Sequence, residues 1–543
     1  MTSASIFLRS MKDRPAFLAF LLVATFIVSL CIAFEPHWAT NDDIAMSMIA
    51  HGYGLAAYGS PYLVSSNVLW GYLVRAIPSI NGVLGYSLAT LAVLLVTGWA
   101  ILYFLLRLGA GYLPSLFAVA LLIAHPTLFP QFTVNAGLLT VAAIIGWQVH
   151  ARLGGTGTLV AACLLAFCGF LVRDKEFLLV LGVALPLLPW RALRERRQMQ
   201  IAFLLLGVAT ASAATFDHWS YSGPEWQHYQ ELSPAQAPLG SIINFGAGEH
   251  LKQHPEIMAN HGYSANDIDL IMNFFPFDPQ IADPKSLNAM LAELGPLPVQ
   301  EGSIKSGLAA IKALFDRVLL PLLVPALILL VLMPRWTVTL AWVLCLAALF
   351  VIGVMGRPGA LRIYEPLISL LLIAPLAVGK YRLGTRPWMA TLTVVVACIG
   401  QANLYLPLAL VYQQVSQLVR NDIQGLPAGP IVSWADSFPF EFAFPVLAND
   451  PVSRKISLYA LDSFTRAPFS VANAEQTAGR GMLLRLQTAT GIPIIASPKL
   501  IEMLRIYCDE RMHGQLRGFT TYLAPSYWYR SVTVQQLRCV AYK

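Results

Sequence analysis

The stretch Glu35-Pro36-His37-Trp38-Ala39-Thr40-Asn41-Asp42-Asp43-Ile44-Ala45-Met46 follows at once on an apolar run from Pro15 to Phe34. A run of about 20 apolar residues is long enough to cross a bilayer. Two adjacent carboxylates therefore stand where a membrane helix should leave the lipid. Thr40 and Asn41 are good N-cap residue types, and Ile44 to Ala50 is compatible with a helix. Two readings are open. In one, Asp42 and Asp43 only favour the positive end of a short interfacial helix. In the other, one of them is a general base held at the membrane surface.

Composition bounds the class. The 543 residues are 57% hydrophobic and 12% charged, against about 25% charged in an ordinary soluble domain. The mean hydropathy is +0.61. This is the composition of a polytopic membrane protein. A net charge of +7 could suggest nucleic acid, but the basic residues sit in short loops between apolar runs, as the positive-inside rule expects. Membrane lipids are therefore the expected surroundings, with no nucleic-acid partner. Arg9, Lys12 and Arg14 precede the first run, and no small-residue cleavage site follows it, so an uncleaved anchor is expected. The seven cysteines form no C-x-x-C pair. Five lie in apolar runs, where Cys behaves as a small hydrophobe. Cys508 and Cys539 lie in the hydrophilic tail and are candidate disulfide partners if that tail is outside the cytoplasm.

Working outward, Gly52 to Tyr62 reads as a loop, and Val68 to Ile80 as a mildly amphipathic interfacial segment. Apolar runs follow at Val83–Leu106, Tyr112–Phe129, Thr133–Val149, Thr158–Val172, Phe177–Trp190 and Ile201–Phe216. After a hydrophilic stretch from Asp217 to about Ala310 come Val318–Met333, Trp336–Met355, Tyr364–Val378 and Pro387–Val411. The expectation is about 11 transmembrane helices, with a transmembrane domain over 1–411 and a small soluble α/β domain over 412–543. Arg107, Arg152, Arg191, Arg194, Arg196, Arg197, Arg335, Lys380, Arg382 and Arg386 all fall on the side of the N-terminus. That asymmetry predicts a cytoplasmic N-terminus in the inner membrane. It places the first loop (35–82), the long loop (217–310) and the tail together on the periplasmic, extracytoplasmic side. Merging the two short runs around Arg173-Asp174-Lys175-Glu176 would reverse this parity. It would also leave four charges in mid-bilayer, which is costly.

The tail shows β-type runs at Pro430–Trp434, Lys455–Tyr459 and Ile492–Ala496, a helical pattern over Pro498–Met512, and one or two closing strands over Trp528–Val540. No internal repeat is present, although transporters often show repeated halves.

Chemistry is expected on the outer face. Asp42 and Asp43 share it with Arg173 and Lys175 and with the Gly356–Pro366 segment, which carries Arg357, Arg362 and Tyr364. Arginines in short outer loops run against the inside bias, and guanidinium groups suit phosphate oxygens. The alternative is contact with lipid headgroups, or a local salt bridge to Asp174 or Glu176. A sugar carried on a polyprenyl phosphate leaves as a stable anion. Its transfer needs one carboxylate to deprotonate the acceptor and cations to hold the phosphate, whereas glycosidases also need a general acid. His51, Trp219, Trp226, His228 and Tyr229 are candidate sugar or acceptor contacts, because flat rings stack on sugars. An aromatic belt at the membrane surface accounts for such residues equally. His250 and His254 lie four apart with no evident third ligand, so no metal or other cofactor is expected, although a divalent ion would suit such chemistry.

In layout, residues 10 to 411 resemble the GT-C glycosyltransferase superfamily, and Asn41-Asp42-Asp43 matches its Asp-Asp or Asp-Glu motif in position. The resemblance implies a polyprenyl-phosphate-linked sugar donor, inversion at the anomeric carbon, and Asp42 or Asp43 as base, with Asp42 favoured and Asp43 in support. Arg173, Lys175, Arg357, Arg362 and Tyr364 are phosphate candidates by role. The acceptor would be a cell-envelope glycan, lipid or protein. The Trp-Trp-Asp pattern of oligosaccharyltransferases is absent, which disfavours transfer to asparagine. A flippase for lipid-linked glycans is the alternative reading, and a membrane sensor or scaffold a third.

Overall fold

A computed structural model describes residues 15–232, 238–244, 246–275, 278–295, 303–355, 361–380, 387–449, 453–523 and 532–542. The membrane part is a bundle of apolar helices: α1 (Pro15–Ala33), the short α2 (Asn41–His51) and α3 (Val68–Ala76), then α4 (Gly85–Arg107), α5 (Tyr112–Leu128), α6 (Phe132–Leu153) and α7 (Thr156–Val172). Next come α8 (Asp174–Val183), α9 (Arg197–Ser220), α10 (Leu320–Leu332), α11 (Trp336–Val354), α12 (Leu361–Val378) and α13 (Pro387–Ile423). By length and composition, seven of these can cross a membrane: α1, α4, α6, α9, α11, α12 and α13. The chain is an integral membrane protein. Helices α5, α7 and α10 are apolar but shorter. With the seven longer helices these make ten apolar helices among the described residues, beside the about 11 expected runs.

The remaining expected run, Phe177–Trp190, is not one helix: α8 stops at Val183 and a 3-10 turn follows at Leu185–Leu187. Pro186 and Pro189 lack the amide hydrogen a continuing helix needs. The segment still traverses the bundle. Its start, Arg173, stands over the Phe132 ring at the head of α6. Its end, Leu185–Trp190, shares a cavity with Arg152 and Val378, at the tails of α6 and α12. Arg173–Glu176 therefore lie at one rim of the bundle.

Helices α6 and α12 are almost wholly buried, so their apolar residues face other helices on every side, whereas α1 and α9 are largely exposed and present theirs outward. Gly137 lets α6 approach α12, because a Cβ there would collide with the Pro366 ring.

On the rim that carries Asp42, the tail folds into a five-stranded sheet of order β2-β1-β3-β5-β4. Strands β1 (Ile431–Trp434), β2 (Leu458–Leu461) and β3 (Ile492–Ile495) are parallel, with β5 (Thr533–Ala541) antiparallel between β3 and β4 (Gly514–Leu523). Strands β1 and β2 are buried at every position, as parallel strands covered on both faces are. A helix follows β3 at Pro498–Glu510. The expected runs at Pro430–Trp434, Ile492–Ala496 and Pro498–Met512 lie within a residue or two of β1, β3 and this helix. The run at Lys455–Tyr459 is shifted, and β4 was not anticipated, because its face is largely exposed and shows no apolar alternation. Residue 412 lies inside α13. Side chains of the long loop, among them Ile268, Ile271 and Phe275, share one apolar core with Val432, Trp434 and Leu504 of the tail. The first loop is stitched to the same unit, with Leu458 N–H donating to Gly54 O and Val471 N–H to Leu55 O, both at 2.9 Å. Cys508 and Cys539 form a disulfide with their Cα atoms 5.8 Å apart.

Candidate functional site

Helix α2 begins at Asn41, and Gly52 closes it in the left-handed region at φ 72°, where its N–H reaches Met48 O at 2.8 Å. Successive helical residues project about 100° apart, so Asp42 and Asp43 face different surroundings. Asp43 points into the protein and is 0% exposed. Its Oδ1 accepts from the Tyr86 hydroxyl at 3.1 Å and the Phe132 N–H at 3.0 Å, and its Oδ2 from Thr40 Oγ1 at 3.1 Å. Burial, reinforced by the charge of Asp42, pushes the Asp43 carboxyl up to about 8, against the pull of its three donors. Asp42 points outward. Its side chain is 43% exposed, and Arg362 Nη1 donates to its Oδ2 at 2.7 Å.

Arg173 sits where α7 gives way to α8. Its Nη1 donates to Ser65 O at 2.7 Å, and its guanidinium lies 5.2 Å from the centroid of the Phe132 ring. A hydrogen bond and a cation–π contact together fix it in place. Its charge interacts with those of Asp42, Arg362 and Glu176. Glu176 is 3% exposed and senses both arginines, and its Oε1 has no hydrogen-bond partner among the described residues. From the tail, Asp462 follows β2, and its Oδ1 accepts from Phe464 N–H at 2.7 Å. Burial, with the charge of Asp42 adding to it, lifts Asp462 to about 6.

The structure therefore brings Asp42, Asp43, Arg173 and Arg362 to one rim. The other candidates are placed differently. Lys175 is exposed, and Arg357 lies outside the described residues. Tyr364 is 0% exposed and its hydroxyl donates to Ala310 O at 2.9 Å, so it braces α12 from inside the bundle. The His51 ring accepts the Tyr86 N–H through Nε2 at 3.1 Å, and burial, with Arg454 and Arg75 nearby, depresses it to about 4. It secures α2 to the head of α4. Trp226 is 2% exposed, enclosed by Tyr62, Tyr221, Tyr229 and Phe469, and so has no free face for a sugar. The Tyr229 hydroxyl donates to Ser463 O at 3.1 Å, inside the same packing. Trp219 is exposed at the end of α9, in keeping with a membrane-surface belt. The side chain of His228 lies outside the described residues.

Tyr86 and Asp462 were not anticipated, and Glu176 was named only as a local salt-bridge partner for Arg173. Glu176 had that sequence signal because it stands in the same short charged run, Arg173-Asp174-Lys175-Glu176. Tyr86 and Asp462 had none, because only the tertiary fold brings them to α2. Among the described residues no three His, Cys, Asp or Glu side chains converge as a metal-binding group. The arrangement offers one carboxylate open to solvent, the buried carboxyls of Asp43 and Glu176, and two guanidiniums at the same rim.

No protein-family model matches the sequence, and no curated protein matches it. Two solved structures are similar to it in shape, both of ArnT from Cupriavidus metallidurans. The crystal structure bound to undecaprenyl phosphate aligns over 96% of this chain and 98% of that one, at 12% identity and a TM-score of 0.41. The apo crystal structure aligns over 95% and 97%, at 12% identity and a TM-score of 0.40.

Proposed function

We propose that this protein is an inverting glycosyltransferase that takes a sugar from a polyprenyl-phosphate donor at the outer face of the membrane. The observation that carries the reading is the contact of the Asp42 carboxylate with the Arg362 guanidinium at the rim of an apolar bundle, beside Arg173. Asp42 removes the proton from an acceptor hydroxyl, and the oxygen forms its bond to the anomeric carbon from the face opposite the phosphate. The carbon–oxygen bond to the phosphate breaks, and the lipid phosphate leaves as an anion beside the guanidiniums. No general acid is needed, because that leaving group is already stable.

In-line displacement places the base and the leaving group on opposite sides of the sugar, so Asp42 and Arg362 must part when the donor binds. Both side chains are more than two-fifths exposed, which leaves them free to do so. Arg173, held by Ser65 O and Phe132, is the fixed cation. Asp43 orients α2 and stays out of the reaction. The donor lipid explains why the site sits on membrane helices.

The test uses membranes holding the full chain and polyprenyl-phosphate sugars labelled in the sugar. Wild type should release the label from the lipid, and Asp42→Asn should not, while both retain polyprenyl phosphate. If intact labelled lipid instead crosses the bilayer with wild type and with Asp42→Asn alike, the protein is a flippase and the transferase reading falls.

A further inference from the structure

At the rim opposite Asp42, Arg152, Arg191, Arg196 and Arg335 line a cavity of about 910 Å³ together with one acid, Glu195. Arg152 Nη1 donates to Ala377 O at 2.9 Å, and Arg335 Nη1 donates to Val378 O at 2.6 Å. These are adjacent carbonyls in the last turn of α12, so the two guanidiniums stand together, and Arg335 acts repulsively on Arg152. Arg196 Nη1 donates to His150 O at 2.9 Å on a third side. Among the described residues none of the three has a carboxylate partner. Glu195, the acid of the lining, is held instead by Arg191, at 2.9 Å, which leaves Arg152, Arg196 and Arg335 as its cations without an acidic partner.

Helix capping accounts for one N–H of each arginine, and a guanidinium has five. Capping and the helix dipole draw cations to such an end, but they leave two neighbouring guanidiniums facing an open cavity with no carboxylate on either. An anion between them removes the repulsion and takes up the remaining donors through paired hydrogen bonds. The other wall is apolar: Leu340, Leu344 and the exposed ring of Trp336 line it. Trp190 stands at the same level, and such indoles mark a membrane–water interface. A cavity that is cationic at one end and apolar along its side suits an amphiphile.

We infer that this cavity binds a phosphate anion, carried as the headgroup of an anionic membrane lipid. Basic pockets between helices at a membrane surface hold such headgroups in other proteins. The site is remote from Asp42 and does not depend on the transferase reading.

Native mass spectrometry of the detergent-purified chain, offered equal phosphatidylglycerol and phosphatidylcholine, tests it. Wild type should retain phosphatidylglycerol over phosphatidylcholine by roughly threefold or more, because the choline ammonium neutralises its own phosphate and is repelled by the arginines, whereas phosphatidylglycerol is a net anion. The double variant Arg152→Gln/Arg335→Gln should fall to parity. Arg152→Lys/Arg335→Lys, which keeps the charge, should keep part of the preference, and Arg194→Gln, outside the cavity, all of it. Thermal melting of each variant separates lost binding from lost folding, and the wild-type preference needs no variant at all. Loss of the preference in millimolar inorganic phosphate would assign the same site to a free phosphate. Equal retention of the two lipids by wild type, with no effect of inorganic phosphate on melting, overturns the proposal.

Discussion

Arg362 donates to Asp42 across 320 positions of sequence, at 2.7 Å. An exposed ion pair of this kind contributes only about 0–1 kcal/mol to stability. Its place at the rim is better explained by what each partner does to a third molecule. Asp42→Asn should leave the melting temperature nearly unchanged while lowering sugar transfer by about 10²–10⁴-fold, the usual contribution of a general base. Turnover and melting measured on the same preparation decide the matter. If the activity loss only parallels unfolding, Asp42 has no part in the chemistry.

Arg173 and Arg362 should differ in what their loss does. Each is proposed to meet the donor phosphate, and a hydrogen bond to a charged group is worth about 1.5–3 kcal/mol. Arg173→Gln and Arg362→Gln should each weaken retention of polyprenyl phosphate by roughly 10- to 100-fold. Arg173 is also tied to Ser65 O and stacked on Phe132, so its loss should lower the melting temperature as well. Arg362, half-exposed, should show the binding defect alone. Titration of the lipid into both variants reads this directly, and unchanged affinity in both would remove the phosphate from this rim.

The bundle was legible in the sequence because apolar length reports burial in lipid whatever the packing. Gathering Asp42, Arg173 and Arg362 at one rim required only the parity of the runs. The end of the helix in the Phe177–Trp190 segment was harder to read, because its composition stays apolar while Pro186 and Pro189 break the helix. The choice of outward carboxylate was not fixed by spacing, since Asp42 and Asp43 are adjacent and chemically alike. Phe132, Tyr86 and Thr40 decide it by claiming Asp43. The aromatic residues after Asp217 were ambiguous for a physical reason. A ring that stacks on sugar and a ring that fills a core have the same composition, and Trp226 proves to be core.

The disulfide between Cys508 and Cys539 ties the end of the tail's helix to β5 over a separation of 31 residues. Closing a loop of that length restrains the unfolded chain by about 3–4 kcal/mol. Cys508→Ser/Cys539→Ser should therefore lower the melting temperature of the tail. Such bonds persist outside the reducing cytoplasm, which agrees with an outward-facing tail. Protein extracted without reductant and then denatured should bind two more maleimides after reduction than before. Equal maleimide uptake would mean free thiols and would remove this support for the orientation.

Asp43 should make stability depend on pH in a direction opposite to an ordinary buried ion pair. Its carboxyl titrates near 3.8 when unperturbed and near 8 in the folded protein. The folded state therefore holds the proton more tightly, and the stabilisation this provides is complete below about pH 4. It is lost progressively as pH rises through about 8, because the unfolded chain ionises freely while the buried group resists. Asp43→Asn has no proton to lose. Its amide oxygen can still accept from Tyr86 and Phe132, and its amide nitrogen can donate to Thr40 Oγ1. The variant should match wild type near pH 4 and become the more stable of the two toward pH 8, by an amount on the order of a few kcal/mol. His51 is depressed to about 4 and loses stability as pH falls from its ordinary value near 6.5, but it does so in both proteins and cancels from the difference. Melting curves that run parallel between pH 4 and 8 would show that Asp43 is ionised throughout, with its three donors outweighing burial.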